Sequence, residues 1–140
     1  MRLLFKFAVG IHATIFRLTG GRVGASIGGM RILILTTTGR RSGKAHDVLL
    51  GYLIDGDSYV VIASYGGSAR NPDWYLNLVS EPRAFVQVKR HRIAVTAHMA
   101  GRVDRERLWA QLVAKAPIYQ KYQDRTTRQI PMVLLTPFTD

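Results

Sequence analysis

Segments of alternating or β-branched apolar residues recur along the chain and predict six β-strands. They cover residues 30–38, 47–54, 58–64, 83–88, 93–100 and 132–136. The sequence Asp-Gly-Asp at 55–57 joins the second strand to the third, and Lys-Arg-His at 89–91 joins the fourth to the fifth, which predicts two hairpins. Strands paired in this way favour a small antiparallel barrel over a parallel α/β sheet.

Three short helices are predicted between these strands. Asn71 is a candidate N-cap, with Pro72 at the first helical position, for a helix over 73–79. Asp104 is a candidate cap for a second helix, whose apolar face would contain Leu108, Trp109, Leu112 and Val113. Pro117 would begin a third, shorter helix. The predicted fold is therefore mainly β, of the α+β class, with short helices flanking the barrel.

The first part of the chain, residues 1–18, has the pattern of an amphipathic helix. Charged or polar residues at 6, 12 and 17 interrupt its apolar run, so neither a membrane-spanning helix nor a secretory signal is predicted. Two interpretations remain, a helix docked against the domain and a helix on a membrane surface. We therefore divide the chain into an amphipathic helix with a flexible segment at 1–29 and a single domain at 30–140.

Composition narrows the choice of partner. The 140 residues are 47% hydrophobic, enough for one core, and 20 Lys and Arg against 9 Asp and Glu give a net charge of +11. This surplus favours nucleic acid, anionic lipid or an acidic small molecule. Because there is no cysteine, a disulfide framework and a thiol nucleophile are excluded. The four histidines lack metal-ligand spacing, so no metal site is predicted.

One stretch, TTTGRRSGKA at 36–45, combines glycines with three cations. It has one residue too few between its glycines for a nucleotide P-loop, and Ala45 lacks the hydroxyl that would bind magnesium. The turn could still offer backbone N–H groups and guanidinium groups to a phosphate or carboxylate. The alternative is an ordinary solvated hairpin turn.

Four blocks of the sequence resemble the deazaflavin-dependent nitroreductase family of actinobacteria. They are LTGG at 18–21, LTTTGRRSGK at 35–44, ASYGGSARNPDWYLNL at 63–78 and YQDRTTRQIPMVLL at 122–135. The resemblance implies a six-stranded antiparallel split β-barrel related to flavin-binding oxidoreductases. It also implies hydride transfer from reduced coenzyme F420, a 5-deazaflavin with a phosphate-bearing polyglutamate tail, to quinones, nitro compounds or other electron-poor acceptors.

The resemblance further implies the residues of the site. Those matching the cofactor-binding positions are Arg40, Arg41, Ser42, Gly43, Lys44 and His46 for the tail, and Ala63, Ser64, Gly66, Gly67, Trp74 and Asn77 for the ring. The candidates for contact with the acceptor, and hence for catalysis, are Ser64, Tyr119 and Tyr122. The chain departs from the family pattern at Ala45, His46, Leu49, Tyr65 and Ala116, which predicts changes in tail binding and in the acceptor pocket.

Other functions stay open at this point. The same barrel could bind FMN, or carry a cofactor without turnover, and a nucleic-acid-binding barrel would use the positive charge together with Trp109, Tyr119 and Tyr122. The preferred hypothesis is a cytoplasmic reductase of a hydrophobic acceptor such as a quinone, with no nucleic-acid partner. The N-terminal helix would give it peripheral contact with the inner face of the plasma membrane. The sequence does not specify an oligomeric state.

Overall fold

The computed structural model describes residues 26–27 and 29–138. The amphipathic helix predicted over 1–18 lies outside these residues. Seven strands are present in the described part: β1 Ser26–Ile27, β2 Met30–Thr38, β3 Ala45–Asp55, β4 Ser58–Ile62, β5 Arg83–Val88, β6 His91–Met99 and β7 Met132–Pro137. The same residues form three α-helices: α1 Asp73–Ser80, α2 Arg102–Lys115 and α3 Ile118–Asp124.

Strands β2 to β7 form an antiparallel barrel in the order β2-β3-β4-β7-β6-β5. The barrel closes because β2 pairs with β3 along its length and also with β5 at residues 34–36. The two-residue β1 extends the sheet beside the start of β2. The predicted six-stranded antiparallel barrel with short helices is confirmed.

Some strands begin or end at other residues than predicted, because backbone conformation and pairing, and not the side-chain pattern, set their ends. β4 ends at Ile62 instead of residue 64, because Ser64 has helical φ and ψ of −75° and −40° and the three residues after it have positive φ, at 46°, 64° and 84°. A left-handed backbone cannot continue a strand. β3 begins at Ala45, earlier than predicted, since Ala45 pairs with Thr38 across the hairpin.

Both predicted N-caps are wrong. Pro72, not Asn71, is the N-cap of α1, and Gly101, not Asp104, is the N-cap of α2; neither cap residue makes a side-chain hydrogen bond. The Asn71 Oδ1 instead accepts a hydrogen bond from Arg128 at 2.9 Å. Asp104 lies in the first turn of α2, where its carboxylate interacts favourably with the positive end of the helix dipole.

Apolar side chains form two layers around the barrel wall. Leu33, Leu35, Val61 and Val133 are fully buried in the main cluster with the Trp74 side chain of α1. The second cluster joins the wall to α2 through residues that include Met30, Leu108, Leu112 and Met132, and the half-buried Tyr119 and Tyr122 of α3 pack against it. This second layer fixes α3 beside the barrel, so the tyrosines on α3 have defined positions.

Candidate functional site

A cavity of about 680 Å³ lies at one end of the barrel. Its walls come from the turn between β2 and β3, the start of β3, the segment after β4, the first part of α1, and α3. The residues that line it are Gly39, Arg40, Arg41, Ser42, His46, Asp47, Val48, Leu50, Ile62, Ser64, Tyr65, Gly66, Pro72, Asp73, Trp74, Asn77, Tyr119 and Tyr122.

The turn at 39–44 uses several of its own backbone amides. The Gly39 N–H donates to the Lys44 carbonyl at 2.7 Å, and the Gly43 N–H donates to the Gly39 carbonyl at 2.8 Å. The Lys44 N–H donates to the Ser42 Oγ at 3.1 Å. Three of the N–H groups that the sequence offered to an anion are thus engaged inside the turn. The guanidinium groups are the better candidates for anion contact.

Gly39 is buried and allows close packing beside it. A Cβ at this position would lie 2.7 Å from both the His46 Nε2 and the Ser42 Oγ. Any larger residue would therefore push the imidazole or the hydroxyl away from the turn. The absence of a side chain at Gly39 is what brings His46 against the turn and onto the cavity wall.

Arg40 is anchored to α1. Its Nη1 donates to the Asn77 Oδ1 at 3.0 Å, its backbone N–H donates to the same oxygen at 3.2 Å, and its Nη2 lies 3.3 Å from the Asp73 Oδ1. The buried Asn77 amide also donates to the Thr37 Oγ1 at 3.1 Å, which fixes its orientation. Arg40 therefore has a defined position, whereas Arg41 is exposed at the edge of the cavity.

The segment at 64–67 forms another wall and packs directly on α3. A Cβ at Gly67 would lie 2.6 Å from the Tyr122 carbonyl oxygen and 2.9 Å from the Arg125 Cβ. The Arg125 Nη1 donates to the Gly66 carbonyl at 3.3 Å. This close contact places Ser64 on the same cavity as the tyrosines of α3.

Two tyrosines of α3 line the cavity. The rings of Tyr119 and Tyr122 meet edge to face, with centroids 5.6 Å apart and planes at 87°. Burial, with a smaller effect from Tyr122, raises the pKa of Tyr119 above its ordinary value of 10.0. A phenol is protonated at neutral pH even at its ordinary pKa of 10.0, so the Tyr119 hydroxyl can donate a hydrogen bond there.

Most residues that the resemblance implied lie on this one cavity. Those lining it are Arg40, Arg41, Ser42, His46, Ser64, Gly66, Trp74, Asn77, Tyr119 and Tyr122, while Gly43, Lys44, Ala63 and Gly67 do not line it. Ala63 and Gly67 are buried behind the wall.

The sequence did not single out several charged residues at the cavity, among them Asp47 and Asp73, which line it, and Arg128, which bonds to its wall. Asp73 pairs with Arg40, and Arg128 donates hydrogen bonds to the segment after β4. Arg128 lies in an irregular loop where no periodicity marks it, and its only signal is its place in the YQDRTTRQIPMVLL block.

Two further observations concern metal sites and membrane-spanning helices. Across residues 26–27 and 29–138, no cluster of three or more His, Cys, Asp or Glu side chains could bind a metal ion. No helix in that same part of the chain combines the length and apolarity required to span a membrane.

Comparison with known proteins places the chain in a family. The F420H(2)-dependent quinone reductase family matches residues 8–137. An F420H(2)-dependent quinone reductase of Mycobacterium tuberculosis is 41% identical over 131 residues, which cover 90% of this chain and 87% of that protein.

Solved structures agree with this assignment. A structure described as an F420-H2 dependent reductase, FDR-A, has a TM-score of 0.68 and 34% identity, and the match covers 74% of this chain and 92% of that one. A structure described as a domain-swapped dimer has a TM-score of 0.71 and 30% identity, with 93% and 97% covered. The resemblance seen in the sequence is confirmed, and the chain belongs to the family of F420H(2)-dependent quinone reductases, oxidoreductases with reduced coenzyme F420 as hydride donor.

Proposed function

We propose that this chain reduces a quinone with reduced coenzyme F420, and that donor and acceptor share the 680 Å³ cavity. One observation carries the proposal: the cationic turn at 39–44 and the tyrosine pair of α3 line the same space. Arginines suited to an acidic cofactor tail are thereby combined with hydrogen-bond donors suited to an acceptor oxygen.

The residues present fit the cofactor. Arg40, Arg41 and His46 lie on one side of the cavity, and guanidinium groups bind phosphate and carboxylate through paired hydrogen bonds. Val48, Leu50, Ile62 and Trp74 supply apolar surface for a planar ring system. Arg40 would contribute with little loss of side-chain entropy, because Asn77 and Asp73 already fix it.

When bound, the reduced deazaflavin supplies the hydride, and the protein must orient the two partners and exclude water. Negative charge develops on a quinone oxygen as the ring is reduced. The protonated Tyr119 phenol is our candidate donor to that oxygen, with Ser64 and Tyr122 as further hydroxyl groups on the wall. Water can return the proton, so none of the three need be an essential acid.

The test is a fluorescence titration with coenzyme F420 and, in parallel, with FMN. Wild type, Arg41→Ala and Arg90→Ala are compared; Arg90 is an exposed arginine in the β5–β6 turn, outside the cavity lining, and controls for loss of charge. We expect Arg41→Ala to weaken F420 binding by about 10- to 100-fold, the value of a charge-assisted hydrogen bond. Arg90→Ala should bind like wild type.

Quinone reduction by the loaded enzyme completes the test. Turnover of a hydrophobic quinone that slows in Tyr119→Phe would support the proposed wall of donors. Tighter binding of FMN than of F420 would mean that the cofactor of this barrel is FMN and not the deazaflavin. Tight F420 binding without turnover of any quinone or nitro compound would mean a cofactor carrier.

We also propose a cytoplasmic location with peripheral membrane contact through residues 1–18. The support is the helical spacing in that segment, which puts its apolar and basic residues on separate faces, and the hydrophobicity of quinones. Flotation of full-length protein and of a variant lacking 1–18 with anionic vesicles tests the contact. Equal flotation of the two proteins would refute it.

A further inference from the structure

Arg128 binds the wall of the cavity from behind. It lies between α3 and β7, and its guanidinium group makes four hydrogen bonds. It donates to the carbonyl oxygens of Ser68 at 2.8 Å, Ala63 at 3.1 Å and Ser64 at 2.8 Å, and to the Asn71 Oδ1 at 2.9 Å. One side chain thus connects both ends of the segment 63–71.

The segment needs such a connection because of its backbone. Tyr65 is one of two non-glycine residues with positive φ in the part of the chain that the structure describes, and it begins a run of three left-handed residues. Such a conformation is unfavourable for a side chain larger than glycine and persists where surrounding contacts enforce it. The Arg128 bonds to the carbonyls of Ala63 and Ser64 act immediately before Tyr65 and fix the direction in which the turn begins.

Arg128 is itself fixed by the helices. The Gln123 Nε2 on α3 donates to the Arg128 carbonyl at 2.8 Å, and the Gln123 Oε1 accepts from the Ile130 N–H at 2.9 Å. Arg105 on α2 donates to the Ile130 carbonyl at 3.0 Å. The loop before β7 is therefore tied to α3, the helix that presents Tyr119 and Tyr122 to the cavity.

We propose that Arg128 is a positioning residue that sets the geometry of Ser64 relative to the two tyrosines. The proposal rests on the proposed function of the cavity as a shared donor and acceptor site. Arg128 does not line the cavity; it acts through the backbone of 63–68. Affinity for the cofactor tail comes from the turn at 39–44, and the geometry of the reacting end comes from Arg128.

The first test uses the protein without cofactor. Hydrogen–deuterium exchange is measured for a peptide covering 64–68 in wild type, Arg128→Gln, Arg128→Lys and Arg107→Gln. Arg107 is the matched control, because it too makes several hydrogen bonds, to Asp55 and Asp104, but away from the cavity. We expect the amides of Gly67 and Ser68, which donate to Ser64 and Tyr65, to exchange about 10-fold faster in both Arg128 variants and unchanged in Arg107→Gln.

The second test separates binding from turnover. In Arg128→Gln we expect kcat to fall about 10-fold, with the F420 dissociation constant within about 3-fold of wild type. Arg128→Lys should remain defective, because an ammonium group cannot donate to four acceptors arranged around a planar fork. Asn71→Ala, which removes one of the four acceptors and leaves Arg128 intact, should raise exchange in 64–68 by a smaller factor and serves if Arg128→Gln does not fold.

Each outcome has a definite meaning. Unchanged exchange in 64–68, full activity of Arg128→Lys, or a fall in F420 affinity as large as the fall in kcat would overturn the positioning role. If the Arg128 variants lose thermal stability but keep a normal kcat per folded molecule, Arg128 stabilises the fold and does not position the site. If wild type itself fails to reduce quinones, the proposed function fails, while the exchange experiment still decides whether Arg128 fixes the segment.

Discussion

Replacing Gly67 with alanine tests whether the segment after β4 is in forced contact with α3. Gly67 has a φ of 84°, and a Cβ there would lie 2.6 Å from the Tyr122 carbonyl oxygen and 3.1 Å from the Tyr122 Cα. Gly66 is the matched control, since its φ is 64° and a Cβ would meet nothing within 4 Å. The two variants share the backbone cost, and only Gly67→Ala adds the clash.

The magnitudes follow from these two contributions. A left-handed alanine costs about 1–2 kcal/mol, so Gly66→Ala should lose roughly that much free energy of unfolding. Overpacking against a rigid neighbour adds about 1–3 kcal/mol, so Gly67→Ala should lose about 2–5 kcal/mol in total. Alternatively the segment moves off α3 to relieve the clash; the stability loss is then smaller, and Ser64 changes its position on the cavity wall that it shares with Tyr122.

Urea unfolding followed by far-ultraviolet circular dichroism measures both variants, and F420-dependent quinone reduction measures the site. Gly67→Ala should be less stable than Gly66→Ala by at least about 1 kcal/mol, or else should show a lower kcat at equal stability. Equal stability and equal kcat in the two variants would refute the reasoning, because the contact between Gly67 and α3 would then have no consequence.

Three further predictions follow from other contacts. Leu112→Ala removes a fully buried side chain between α2 and the barrel and should cost about 2–5 kcal/mol in urea unfolding, whereas exposed Val103→Ala should cost little. Asn77→Leu removes the acceptor of Arg40 and the donor to the Thr37 Oγ1 while keeping the branched shape of the side chain; it should cost about 2–4 kcal/mol and weaken F420 binding. Burial raises the pKa of Tyr119, so its contribution to stability is complete below pH 10.0 and is lost as the pH rises from there through the higher folded-state pKa. Tyr119→Phe should therefore lose less stability than wild type above that pH.

The sequence could predict the barrel because its strands are short runs of apolar and β-branched residues bounded by turn residues. β2 shows this well: it is buried on both faces, with Leu33 and Leu35 in the main cluster and Ile32 and Ile34 in a separate one. The errors lie where one backbone angle or one distant partner decides. Asn71 has the chemistry of an N-cap, but its carbonyl oxygen accepts from Arg128, which is 57 positions further along the chain. Gly101 is an extended N-cap without a side chain, so no residue type marked the start of α2.

The site was predictable mainly through resemblance. Residue types alone left the turn at 39–44 as an anion site or a solvated hairpin, and three of its N–H groups prove to be bound within the turn. The structure shows how the residues of the site are positioned. Gly39 allows His46 to pack against the turn, and Asn77 anchors Arg40. Arg128 bonds to wall residues far from it in sequence, and Ala63 precedes it by 65 positions. No local pattern predicts such a contact.

The arginines around the cavity show why a net charge of +11 does not by itself define a function. Arg40 has partners on α1, and Arg128 has four acceptors in the wall, so both charges are engaged in the fold before any ligand arrives. Arg41 is exposed at the edge of the same cavity. Substituting Arg41 should therefore change mainly affinity, Arg128 mainly turnover, and Arg40 both together with stability. A series in which the three variants lost affinity and turnover in the same proportion would mean that the cavity responds to total charge and not to these separate positions.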